Sequence, residues 1–68
     1  MATWTLREEG VDTFDVLRDG RGVAYDLSYD EALRRVRRDR RYLDTDKVVL
    51  TDGDGARTTV KMPKRLSR

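Results

Sequence analysis

With 68 residues, of which 41% are charged and 37% hydrophobic, the chain makes one small domain that buries only about 60% of its unfolded surface. It has no cysteine and no histidine, which excludes disulfides and thiolate metal sites and removes the commonest catalytic bases and nucleophiles. No apolar run is long enough to span a membrane and no signal-peptide core follows Met1, so a cytoplasmic protein without membrane partners is expected.

The apolar residues are periodic rather than scattered, which argues for a folded chain. The net charge of +2 conceals an asymmetry: residues 1–31 carry three basic and eight acidic side chains, and residues 32–68 carry twelve basic and five acidic. Such a split marks either a charged partner or internal pairing between elements. Arginine outnumbers lysine twelve to three, as codon bias in a GC-rich bacterial or phage genome would produce.

The first strand is predicted over residues 3–8, where Trp4 and Leu6 alternate with polar residues. Glu9, Gly10 and Val11 make a turn. A second strand over 12–18 places Phe14 and Val16 on one face. Asp19-Gly20 is a two-residue type I′ hairpin signal. It pairs Arg18 with Arg21, Val16 with Val23 and Phe14 with Tyr25, with a third strand over 22–27.

The helix opens at Ser28. Ser28 as N-cap and Glu31 three residues on form a capping box, with Leu27 and Ala32 in the staple positions. Asp30 and Glu31 lie at the positive end of the dipole and the arginines toward the negative end. Asp30 with Arg34, and Glu31 with Arg35, have helix-pair spacing. The apolar stripe is Tyr29, Ala32, Leu33, Val36 and Leu43. Arg40 falls on that stripe. Either the helix ends near Asp39, or it runs to about Tyr42 with the Arg40 stem on the core edge.

A fourth strand is predicted over 47–51 and a fifth over 56–62. A three-residue loop between them, with Gly55 left-handed, pairs Leu50 with Thr58 and Val48 with Val60, whereas a two-residue Asp54-Gly55 turn pairs Val49 with Val60; the first register buries more apolar surface and is preferred. Pro63 ends the strand, so residues 1–62 form the domain and 63–68 a basic tail. The fold class is α+β: a βββαββ order, giving a small antiparallel-rich sheet with one helix packed on one face. The helical crossover makes the third and fourth strands run in the same direction. Sheet order 3-2-1-4-5 then sets the first strand at the centre, parallel to the fourth. The expected core is Trp4, Leu6, Phe14, Val16, Val23, Tyr25, Leu27, Leu33, Val36, Val48, Leu50, Val60 and Met62.

Trp4 in the first strand, Ser28-Tyr29-Asp30-Glu31-Ala32 at the helix start, and Lys47-Val48-Val49-Leu50 before Asp52-Gly53-Asp54-Gly55 are the matching features of a resemblance. Over Leu27 to Val60, about half the chain, the sequence resembles small uncharacterised bacterial domains with a sheet–helix–hairpin order. The resemblance implies the fold order and brings no activity, cofactor or site residue with it.

No enzyme is expected, and no cofactor. Asp52-Gly53-Asp54-Gly55 resembles part of a calcium loop. It lacks the third acidic position and has Pro63 where the twelfth-position glutamate belongs, so it reads as a hairpin turn. The functional candidate is the arginine helix. Arg34, Arg37, Arg38 and Arg41 cluster away from the core with Arg35 at their flank. Arg34–Arg38 and Arg37–Arg41 are like-charge pairs that an anionic partner relieves. Phosphates of DNA or RNA are the leading partner, with Lys61, Lys64, Arg65 and Arg68 extending the patch. A plain solvated face and an acidic protein partner are the alternatives. Trp4 and the tyrosines read as core rather than base-stacking platforms. The outer sheet face, with Thr3, Thr5, Thr13, Leu17, Val49 and Thr59, or an edge strand, is the alternative surface for a protein partner or a homodimer.

Overall fold

The structure, a computed structural model, describes residues 1–62. Five strands and one helix follow in the order β1 (Thr3–Gly10), β2 (Thr13–Arg18), β3 (Arg21–Leu27), α1 (Tyr29–Arg38), β4 (Lys47–Thr51) and β5 (Arg57–Thr59). The sheet order is β3-β2-β1-β4-β5. β1 and β4 are parallel and the other neighbours antiparallel. This is the α+β arrangement expected, with β1 central. Its Trp4 and Leu6 are fully buried beside Val16 and Val48, because alternate strand residues share one face.

The β2–β3 hairpin turns where expected. Asp19 (φ 51°) and Gly20 (φ 84°) are both left-handed, as a type I′ turn requires, and Arg18 stands opposite Arg21. Beyond the turn the predicted register fails. Val16 pairs with Ala24 and Phe14 with Leu27, with an irregularity at each step. Asp26 takes a left-handed φ of 58°, and its N–H donates to Asp15 Oδ1 at 3.2 Å. Each irregularity adds a residue to β3 and re-aims the side chains after it. Tyr25, placed in the core by alternation, is therefore 60% exposed. Its phenol folds into the space that a Cβ on Gly22 would fill.

Helix α1 has the predicted start: Ser28 Oγ accepts from the Glu31 N–H at 3.2 Å and Glu31 Oε1 from the Ser28 N–H at 2.9 Å. Of the two predicted ends, the shorter is found. Asp39 is the C-cap in extended conformation (φ −71°, ψ 133°). The chain thus leaves the helix before Arg40, and Leu43 comes off the stripe to lie 57% exposed. Tyr42 fills the core instead, edge-on to Trp4 at 6.1 Å and 70°. α1 packs Ala32 and Val36 over β2 and β3.

The β4–β5 turn is the three-residue loop with Gly55 left-handed (φ 88°). Leu50 stands opposite Thr58 and the Val60 N–H donates to Val48 O at 2.8 Å, so the preferred register holds although β5 itself is shorter than 56–62. Leu27, Leu33, Leu50, Val60 and Met62 are only partly buried around the core, while Ala2, Tyr42 and Val49 join the buried set.

Candidate nucleic-acid interface

Helix α1 begins with Asp30 and Glu31 and ends with Arg35, Arg37 and Arg38 in its last turn. Arg34 and Arg38 are exposed, one helical turn apart on its outer side. Arg35 and Arg37 lie half-buried on the flanks. The predicted Glu31–Arg35 pair gives way to other partners: Glu31 is held in the cap, and Arg35 Nη1 reaches Asp39 Oδ2 at 3.0 Å.

Arg41 lies beyond the helix, which corrects its assignment to the outer helical face. Its Nε and Nη2 bond both carboxylate oxygens of Asp39 at 3.0 Å, and its N–H donates to Oδ1 at 2.8 Å. Asp39 is 7% exposed. The Arg41 side chain above all, joined by the Arg41 N–H and Arg35, outweighs burial and holds the carboxyl far below the usual carboxylate range. A bidentate guanidinium–carboxylate pair is directional as well as charged. It fixes the turn after α1, so that Arg35, Arg38, Asp39, Arg40 and Arg41 line one shallow depression. A second depression between α1 and β3 is lined by Ala24, Leu27, Glu31, Arg34, Arg35 and Arg38.

The structure adds a residue that helical spacing could not find. The guanidinium of Arg18, from the end of β2, lies 5.7 Å from the Trp4 ring centre, and that of Arg41 lies 5.9 Å away. Such placements are favourable cation–π contacts. Arg18 Nε is buried with no hydrogen-bond partner among the described residues. Trp4 itself is fully buried and its Nε1–H donates to Asp46 Oδ2 at 2.9 Å, so it offers no face to a base. The signal for Arg18 was the topology: the crossover returns the C-terminus of α1 to the end of the sheet where β2 turns into β3.

Lys61 does not join these arginines. It follows β5 at one edge of the sheet, whereas α1 packs on β2 and β3. Lys64, Arg65, Arg68 and the predicted basic tail lie outside the described residues. The outer sheet face is less apolar than its sequence suggested: Asp15 is buried there and bridged to Arg7 Nη2 at 3.4 Å. Among the described residues, no group of acidic side chains is placed to hold a metal ion, and no helix is long and apolar enough to cross a membrane. Asp52 spends its carboxylate on the N–H groups of Asp54 and Ala56 at 2.9 and 3.0 Å, inside the hairpin loop.

Compared with protein-family models, curated proteins and solved structures, the chain has no match.

Proposed function

We propose that this protein is a small non-catalytic accessory protein that binds the phosphate backbone of DNA or RNA through the outer face of α1 and the turn after it. The observation that carries this reading is the Arg34–Arg38 pair. The two guanidiniums share one exposed face, and neither forms an ion pair with an acidic side chain among the described residues, although the Glu31 carboxyl, held low first by the Ser28 N–H, is lowered further by the charge of Arg34. Like charges one turn apart destabilise a helix mildly, and phosphates reverse the sign of that interaction. Arg35 and Arg41, anchored on Asp39, extend the row in fixed positions. Phosphate contacts position a protein without reading sequence, so the binding has little base preference. Residues 1–62 carry no base-stacking platform on this face, since Trp4 is enclosed.

The test is electrostatic. With about four phosphate contacts, log K falls against log salt with a slope near −3.6 on duplex DNA. Arg34→Glu with Arg38→Glu abolishes binding while the circular dichroism stays unchanged, because both side chains point to water. No shift of labelled duplex or single strand at about 50 mM salt and micromolar protein, where counterion release is strongest, refutes the reading and leaves the arginines a solvated face.

A further inference from the structure

The two edges of the sheet differ. β3 is interrupted twice in its pairing and carries the left-handed Asp26, which breaks the regular row of outward N–H and C=O groups that an added strand requires. Among the described residues, β5 and the chain after it show no such interruption. The Asp52 N–H donates to Ala56 O at 3.0 Å and the Val60 N–H to Val48 O at 2.8 Å, with Leu50 opposite Thr58 between them. Residues 56, 58 and 60 therefore face β4 with their backbone groups. By antiparallel alternation, those of Arg57, Thr59 and Lys61 point away from the sheet.

The side chains at this edge divide by face. Arg57, Thr59 and Lys61 alternate onto the face opposite α1, beside Lys47 and Val49. Lys47, Val49, Arg57, Thr58 and Thr59 line a shallow depression there. Lys47, Arg57 and Lys61 form no ion pair with any described residue. On the other face, Leu50, Val60 and Met62 remain only partly buried, because α1 packs over β2 and β3 instead.

We infer that the edge of β5, which pairs with no further strand among the described residues, takes an added strand from a partner protein: an extended segment that alternates acidic and apolar side chains. Its backbone pairs with Arg57 and Thr59, its carboxylates face Lys47, Arg57 and Lys61, and its apolar side chains cover Val60 and Leu50. Main-chain hydrogen bonds give such strand addition its affinity and the alternate side chains give its specificity. Charge disfavours a second copy of this chain as occupant. Antiparallel pairing of two β5 edges about Thr59 sets Arg57 against Lys61 in both directions, and like charges directly opposite are destabilising. The site is separate from the arginine face of α1 and goes beyond the phosphate-binding reading.

The test uses the full chain and a short fluorescent peptide alternating Glu and Val, followed by anisotropy. The expected result is saturable one-to-one binding, with amide NMR shifts concentrated at Arg57, Thr59 and Lys61. Arg57→Glu with Lys61→Glu weakens it by about tenfold or more, as loss and reversal of paired charges do. Thr59→Pro weakens it as much, because proline removes an outward N–H while an edge position tolerates the ring. Arg34→Glu with Arg38→Glu leaves it unchanged, which separates this site from the helix face. Should Thr59→Pro disturb the fold, the parent protein with a peptide N-methylated along its bonding edge reads the same loss. Equal binding of a Lys–Val peptide, full binding by a folded Thr59→Pro variant, or undiminished binding of the N-methylated peptide overturns the inference. So does a single-stranded oligonucleotide that needs Arg57 and Lys61 when the peptide does not bind, which makes the edge a phosphate surface.

Discussion

The aspartates serve chiefly as acceptors for backbone N–H groups. Asp19 takes the N–H of Thr3 at 2.9 Å, Asp12 that of Tyr29 at 3.1 Å, and Asp15 that of Asp26 at 3.2 Å. Asp46 takes three donors: the Ala2 N–H at 2.9 Å, Trp4 Nε1–H at 2.9 Å and the Leu43 N–H at 3.1 Å. Burial pushes the Asp46 carboxyl up, but those donors and the N-terminal charge together hold it below its ordinary value. Asp46→Ala leaves the buried indole N–H without an acceptor, and an unsatisfied buried donor costs about 1–3 kcal/mol. Urea unfolding followed by the fluorescence of Trp4, the single tryptophan, measures that loss. A midpoint equal to the parent's shows that water replaces the carboxylate at no cost. At the same scale, Asp39 shows why the fate of Arg41 was hidden: a residue two positions away captures it only because the helix has already ended.

At the scale of elements, the start of α1 and the β4–β5 register are set locally, and the end of α1 and the β2–β3 register are not. Ser28 and Glu31 complete their reciprocal cap within four residues of chain, so the beginning of α1 was readable from spacing alone. Ser28→Ala removes one side of that box and lowers stability by about 0.5–2 kcal/mol, with the chemical-denaturation midpoint as the readout. An unchanged midpoint means that the helix start relies on Asp12 at the Tyr29 N–H instead. The C-terminal end carries no glycine or proline, so periodicity alone allowed the helix to run on to Tyr42. The exit at Asp39 is fixed by the ion pairs of its carboxylate and by Tyr42 reaching Trp4. In β3 the Asp15 carboxylate draws the Asp26 N–H out of the ladder. That contact spans 11 residues, and simple alternation cannot anticipate it.

For the molecule as a whole, 38 × 20 × 19 Å in extent, the topology turns the charge asymmetry of the sequence into two poles. Glu8 Oε1 accepts the Gly53 N–H at 2.9 Å and Asp12 caps the start of α1, so Glu8, Asp12, Asp30, Glu31, Asp52 and Asp54 gather at one end. Arg41, from the turn after α1, and Arg18 flank Trp4 at the other, beside Asp19, Asp39 and Asp46. A cationic pole of this kind steers anionic partners and loses its reach as salt rises. Asp39 and Asp46 also set the acid response. Their folded pKa values lie below the unfolded carboxylate value of about 3.9, so the unfolded chain binds more protons at low pH and stability rises with pH there. The stabilisation from both carboxylates is present above about pH 4 and is lost progressively as pH falls through their depressed folded values. Urea midpoints taken down from neutral pH should hold and then fall below about pH 4. In Asp39→Asn with Asp46→Asn the midpoint starts lower, and the part of the acid drop due to these two groups disappears. An acid profile identical to the parent's assigns the drop to other carboxylates.

The sequence by itself determined the element order, the helix start, the β2–β3 and β4–β5 turns, the β4–β5 register and the sheet order with β1 at its centre; the β1–β2 turn, expected at Glu9-Gly10-Val11, lies instead at Val11-Asp12, with Glu9 and Gly10 continuing β1. The helix start and the two turns rest on signals within a few residues, namely the capping box, Asp19-Gly20 and the left-handed Gly55; the sheet order follows from the single helical crossover between the third and fourth strands. The sequence also placed Arg34 and Arg38 on one outer helical face, since helical spacing fixes such neighbours. Only the tertiary structure decided the exposure of Tyr25, the end of α1, the burial of Tyr42, the capture of Arg35 and Arg41 by Asp39, and the separation of Lys61 from the arginines. It also brought Arg18 from a distant strand to Trp4. All of these depend on groups meeting across the sheet or around a turn, where burial makes an unpartnered N–H or carboxylate costly. Side chains and backbone then shift away from their local pattern to satisfy it.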